Sequence, residues 1–272
     1  CLDKTYGGYI NQFYDNGEVA DYDTKHLVGT CRFIYNFSTC YNLFTNNDYL
    51  NAARHGIFFL YNNHKREDGS YAWVMQKRLI KDNTRHCYGM AFVLLAYAVA
   101  TKNNIDKEEN REKIYETFNF LEKYFYEDQF GMYVDVIDGN DFTKIDRYRG
   151  QNANMHMCEA LICCFEATND QIFLNRAIVV ADKICNKLTY EGDYIWEHYK
   201  NNWEHDWEYN KDDPKHLFRP YGFLPGHFLE WSKLLMNIYR HNEENWFFEK
   251  AISLFNISVK HSWDYKNGGI FY

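Results

Sequence analysis

Residues 83–136, NTRHCYGMAFVLLAYAVATKNNIDKEENREKIYETFNFLEKYFYEDQFGMYVDV, hold one complete unit of the architecture. Apolar residues at i, i+3, i+4 and i+7 predict one helix over about Asn83 to Thr101 and a second over Lys107 to Tyr126. A short polar stretch with a glycine among aromatics, DQFGMYVDV from Asp128, closes the unit. Two antiparallel helices and a small hairpin cannot bury their own apolar stripes, so such units must stack on neighbours.

The same pattern extends in both directions. Helices are predicted at about Leu27 to Phe44, Asp48 to His64, Asn152 to Thr168, Asp170 to Lys187, Gly226 to His241 and Glu243 to His261, with Asn46 and Asn169 as caps. Glycine-aromatic segments follow each second helix: DGSYAW at Asp68, EGDYIWEHY at Glu191 and YKNGGIFY at Tyr265, with YGGYINQFYDNG at Tyr6 before the first pair. From Gly8 to Gly69, Gly131 and Gly192 the intervals are 61, 62 and 61 residues, and 77 from there to Gly269. An insertion at about Asn201 to Arg219, rich in Trp and acid, accounts for the longer last interval and reads as a surface loop or lid. Stacked pairs form an open array or a closed ring, and the period does not choose between them. Four full pairs are present, and a ring of six would need chain beyond Tyr272, so a piece of a longer protein is one expectation.

At 272 residues and 46% hydrophobic, the chain can bury one large core, and a single domain over residues 1–272 is expected. A net charge of −8 with no basic block repels a phosphate backbone, so nucleic acid is not an expected partner. No charge-free apolar run reaches about 18 residues, which argues against a membrane span. The eight cysteines sit inside apolar helical patterns, as at Cys158, Cys163 and Cys164, and no CxxC occurs. Reduced buried thiols and a cytoplasmic setting follow from that. Only 3 prolines suit long helices, and the 19% aromatic content is mostly core material.

Two stretches place ionisable groups where a buried helix should begin: GQNANMHMCEA, with His156 and Glu159, and RPYGFLPGHFLEW, with Arg219, His227 and Glu230. Each contains HxxE, a spacing that sets both side chains on one helical face. The Glu can orient its imidazole and raise its basicity, while the helix N-terminus disfavours the protonated form. Such opposition leaves a histidine titrating near neutrality, as a general base requires. One HxxE reads as an ion pair, whereas two at corresponding places in a repeat point to a site. Helical di-metal sites use the opposite order, ExxH, so no metal is expected. Arg32 is a charge in an otherwise apolar helix, Asn152 and Asn154 flank the histidine approach, and His86 and Tyr88 open another helix. His55, His64, His205, His241 and His261 lie in polar or outer-helix contexts and are expected to face solvent, as is the run WEHDWEYNKDD. No GxGxxG, Walker loop or GxSxG occurs, which sets aside nucleotide-binding and serine-hydrolase readings.

RFIYNFS, QNANMHMCEA and PGHFLEW, in this order and separated by glycine-aromatic hairpins, resemble the N-acylglucosamine 2-epimerase superfamily across essentially the whole chain. The resemblance implies an all-α (α/α)6 barrel whose site lies at one mouth, and a cytoplasmic sugar isomerase or epimerase that needs no cofactor. It implies that His227 is a catalytic acid/base with Glu230 beside it, and that His156 is a second site histidine next to Glu159. Arg32 would bind hydroxyls and polarise the carbonyl, while Asn152, Arg219, Tyr88 and Trp231 complete the expected substrate contacts. The family uses a further histidine near its C-terminus, beyond the sequence given, so the 272-residue piece alone is expected to be weakly active or inactive. Trp231 after HFLE is similar to the aldose-ketose isomerase branch, which includes mannose and sulfoquinovose isomerases. The expected partner is a small free sugar, and a homodimer is compatible with the sequence. A 2-epimerase of N-acylglucosamine or cellobiose type, an (α/α)6 glycosidase and a non-catalytic sugar-binding protein are the alternatives.

Overall fold

A computed structural model describes residues 1–271. Among them are eight α-helices: α1 (Leu27–Phe44), α2 (Asn47–Phe59), α3 (Cys87–Lys102), α4 (Lys107–Tyr124), α5 (Gln151–Thr168), α6 (Gln171–Asp182), α7 (Pro225–Tyr239) and α8 (Asn245–Ser262). Every helix expected from the apolar spacing is present. Three ends differ by more than two residues, each for a local reason. Residues Arg85–His86 form a strand against Val136–Ile137 instead of a first helical turn, because the Cys87 N–H donates to the Asp135 carbonyl at 2.8 Å. The ends of α2 and α6 widen into π turns, Leu60–His64 and Lys183–Lys187, where the N–H groups of Lys65 and Leu188 reach back five residues. Asn169, expected to cap α6, instead closes α5: its φ is 58° and its N–H donates to the Phe165 carbonyl at 2.7 Å.

The chain forms two compact units. The first comprises Cys1–Tyr126, Val134–Asp146 and Cys163–Asp170; the second comprises Glu127–Tyr133, Arg147–Ile162 and the chain from Gln171 onward. In the first unit α1 packs on α2 and α3, and α3 on α4. Helix α3 is buried from Met90 through Thr101 without a break, which is why its sequence is apolar on all sides. Helix α4 shows a polar outer face, with Glu108 and Glu109 in its first turn and Lys123 in its last, each favourable to the helix dipole. Asn46 caps α2 as expected, accepting the Asp48 N–H at 2.8 Å. Gly56 of α2 is required by a close approach: a Cβ there would lie 2.0 Å from the hydroxyl of the buried Tyr9. In the second unit α7 lies along α8, where the Ser232 hydroxyl donates to the Ala251 carbonyl at 2.8 Å. The Cys158 thiol of α5 donates to the Ala177 carbonyl of α6 at 3.6 Å.

The hairpins explain the glycine period. Gly8, Gly69, Gly131, Gly192 and Gly269 all have φ between 69° and 93°, a region that favours glycine. Each complete hairpin then returns its second strand to the strand preceding the first helix of its own pair. Val74–Gln76 pairs with Thr24–His26, Val136–Ile137 with Arg85–His86, and His198–Tyr199 with Arg149–Gly150. At each junction the first helical N–H finds a carbonyl: Leu27 on Trp73 (3.0 Å), Cys87 on Asp135 (2.8 Å) and Gln151 on Glu197 (3.2 Å). Trp73, Asp135 and Glu197 are therefore equivalent positions, each delivered to the mouth of a helix.

Two expectations of solvent exposure are corrected. His64 is fully buried, with Nδ1 bonded to the Ala72 carbonyl oxygen at 2.9 Å, and burial holds its pKa down at about 4. The acidic run around residue 205 is anchored by its tryptophans: Trp203 is buried and donates to Glu127 at 3.3 Å, and Trp207 stacks on His205 at 4.7 Å. Among the described residues no helix is long and apolar enough to cross a membrane. Cys31, Cys87, Cys158, Cys164 and Cys185 are buried free thiols, and burial pushes their pKa values up.

Candidate active site

The start of α7 builds the centre of the site. Pro225 occupies the first helical position, where its missing N–H costs nothing, and fixes the chain two residues before His227. The imidazole is held from behind by a carboxylate, but not by Glu230. Its Nδ1 lies 3.0 and 2.9 Å from the two carboxylate oxygens of Glu197, a residue only 3% exposed. Gln151, at the first position of α5, donates through Nε2 to the same carboxylate at 2.9 Å. Burial pulls the His227 pKa down, but the Glu197 charge and hydrogen bond, with the charge of Glu230, outweigh it, and the net displacement is upward. Glu230 thus acts on His227 through its charge, and Glu197 supplies the bond.

A cavity of about 200 Å³ opens beside this imidazole. It is lined by Asn152, Leu217, Phe218, Pro220, Leu224, Pro225, Gly226 and His227. The Asn152 Oδ1 is buried and has no hydrogen-bond partner among the described residues, so the cavity offers an acceptor to a hydroxyl-bearing ligand. Leu217 and Phe218, 77% and 79% exposed, form its apolar rim at the end of the inserted loop.

His156 behaves as its spacing predicts. Its Nδ1 bonds the Glu159 carboxylate at 3.3 Å within α5, and that carboxylate also accepts from Lys233 of α7 at 2.7 Å. Burial pushes the Glu159 pKa up, yet these two partners more than reverse the effect and hold it at about 2. Arg219 is not among the residues lining the cavity. Its guanidinium donates to the Tyr209 hydroxyl at 2.8 Å and lies 3.8 Å over the Tyr148 ring. Trp231, expected at the sugar, is corrected by its position. It is fully buried, four residues on from His227, and its indole N–H donates to the Gln151 side-chain oxygen at 2.7 Å.

In the first unit, Arg32 of α1 and Tyr88 of α3 come together, with Nη2 donating to the phenol oxygen at 3.4 Å and the guanidinium 4.7 Å over Phe92. Trp73, the hairpin residue equivalent to Glu197, lies between His26 and His86 at 4.3 and 4.1 Å. Tyr88 and Asn152 are second residues of their helices, and Arg32 and His156 are sixth residues of theirs. Positions four apart share one helical face. Among the described residues no three His, Cys, Asp or Glu side chains converge as metal ligands would.

Residues 8–272 match the family described as N-acylglucosamine 2-epimerase (GlcNAc 2-epimerase). The chain belongs to the N-acylglucosamine 2-epimerase family. A D-mannose isomerase of Marinomonas mediterranea is 45% identical over 100% of this chain and 68% of its own length. A D-mannose isomerase of Thermobifida fusca is 31% identical over 72% of this chain, which covers 48% of that protein. A crystal structure of a D-mannose isomerase superposes with a TM-score of 0.96 at 45% identity, over 100% of this chain and 69% of that one. Within this member of the N-acylglucosamine 2-epimerase family, the residues missed by sequence reading are Glu197 and Gln151. The signal for Glu197 was an acid inside an aromatic hairpin, WEHY, at the position occupied by Trp73 and Asp135 in the earlier units. Only the fold reveals that this position faces a helix mouth.

Proposed function

We propose that this chain carries the proton-transfer site of an aldose-ketose isomerase acting on free mannose-like sugars, within an (α/α)6 toroid. The observation that carries the reading is His227: an imidazole backed by a buried carboxylate and lining a cavity that also presents Asn152. A neutral imidazole there can take the C2 proton of an open-chain aldose. The electron pair moves into C1–C2 as the carbonyl oxygen gains charge, and a cationic or hydrogen-bonding group must stabilise that oxygen. Arg32 is the group assigned to it. Return of the proton to C1 gives the ketose. Base and oxyanion stabiliser suffice for this chemistry, so the reading calls for neither metal nor nicotinamide, and it places the protein in the cytoplasm with a small sugar as its partner.

A second reading, 2-epimerisation, is favoured by His156. Another imidazole with its own carboxylate in the same unit could return the proton to C2 from the opposite face. Glycoside hydrolysis fits less well, because it needs two carboxyl groups across the cleft, and the cavity lining is His, Asn and apolar residues. Incubation of the full-length protein that carries this chain with mannose, glucose, fructose and cellobiose in the presence of EDTA, with products resolved by chromatography, separates the readings. Interconversion of mannose and fructose is the expected result. Mannose-glucose or cellobiose epimers alone would favour epimerisation, and sugar binding with no product would sink both.

A further inference from the structure

Trp231, Gln151 and Glu197 stand in a row behind His227, and chemistry fixes the direction of the Trp231–Gln151 and Gln151–Glu197 hydrogen bonds. An indole nitrogen can only donate. The Gln151 amide must therefore turn its oxygen to Trp231, at 2.7 Å, and its NH2 toward Glu197, at 2.9 Å. An ionised carboxylate can only accept, so Glu197 takes the Gln151 proton and requires one from His227 as well. Both donors converge on the same Glu197 Oε2, each 2.9 Å away, which is why Gln151 Nε2 and His227 Nδ1 lie only 2.8 Å apart. The opposite tautomer would accept the second Gln151 N–H at 2.8 Å but aim its Nδ1 lone pair at both Glu197 carboxylate oxygens, 3.0 and 2.9 Å away, with both groups largely removed from water.

We propose that Trp231 and Gln151 are positioning residues that act through Glu197 to keep the resting proton of His227 on Nδ1, so that Nε2 is the nitrogen that exchanges a proton with substrate. The inference deepens the isomerase reading and rests on it for its catalytic meaning, but the tautomer itself is a property of the resting protein. The chain is built for rigidity: Trp231 and Gln151 are both 0% exposed, and Trp231 lies on the same face of α7 as His227, one turn on. Their role is to remove the wrong tautomer from the population, a defect that in other imidazole-dependent sites lowers turnover by about 10⁴-fold.

The test is a long-range 1H–15N spectrum of the protein labelled with 15N-histidine, at a pH where His227 is neutral, with the signals assigned by their loss in His227→Gln. The expected pattern is the Nδ1–H tautomer. Trp231→Phe, which keeps an aromatic ring and removes only the donor, should introduce the Nε2–H form and lower kcat by about tenfold while KM stays within about twofold. Gln151→Leu should do the same. An Nε2–H pattern in the unmodified protein overturns the proposal whatever the variants do. So does an Nδ1–H pattern that persists, with undiminished kcat, in both variants. Because the spectrum needs no turnover, a protein that shows the Nδ1–H pattern but isomerises no sugar would contradict the functional reading and leave this one standing.

Discussion

An imidazole taken out of water loses basicity unless a charge compensates, because burial disfavours the protonated ring. At His227 the compensation comes from Glu197 first and Glu230 second, and it exceeds the burial effect. A base must be neutral to accept a proton, so the acid limb of kcat/KM is expected above the ordinary 6.5 of histidine, with activity rising as pH rises through it. Glu197→Gln removes the larger charge and should move that limb to lower pH; a pH-rate profile of the two proteins checks it, and an unmoved limb would contradict the assignment. The pattern HxxE disclosed His156, Glu159, His227 and Glu230 because i and i+3 neighbours are set by helix geometry alone. It paired His156 with the right carboxylate and His227 with one that contributes only charge. The Glu197 bond spans 30 residues of chain, and no local spacing encodes such a contact.

Helices were legible in number and place, since all but α3, which is buried on every side, carry a face whose burial repeats with helical spacing. What the spacing could not show was where a helix gives way to pairing with a distant strand, as at Arg85–His86, or widens into a π turn, as at Leu60–His64. Two glycine substitutions separate the forces that set these elements. Gly192→Ala meets no atom within 4 Å but places a side chain at φ 91°, and should cost about 1–2 kcal/mol from backbone strain alone. Gly56→Ala sits in regular helix yet drives a methyl into Tyr9, and should cost about 1–3 kcal/mol from overpacking, relieved in part by Tyr9→Phe. Urea unfolding of the variants measures both. His64 adds a pH dependence. Its folded pKa, near 4, lies below the ordinary 6.5, so the unfolded chain binds the proton first and stability falls as pH drops from 6.5 toward 4. The full effect is on the order of 3 kcal/mol, and His64→Gln should flatten that part of the curve.

For the whole molecule, the repeat was legible because a glycine at positive φ recurs at nearly constant spacing and no other residue suits that turn. The closure of stacked pairs was not, since one pair contacts the next in the same way in an open array and in a ring. Function was legible only where chemistry interrupts the apolar pattern, in α1, α5 and α7, whereas the hairpins deliver Trp73, Asp135 and Glu197 to the starts of α1, α3 and α5. The direct measurement is deuterium uptake: the full-length protein that carries this chain and its His227→Asn variant are incubated with mannose in deuterated water, and the recovered sugar is read by NMR. The account predicts fructose carrying deuterium at C1 with the unmodified protein, and a loss of about 10³-fold or more in that rate with the variant. Deuterium incorporation that proceeds unchanged without the residue 227 imidazole would contradict it.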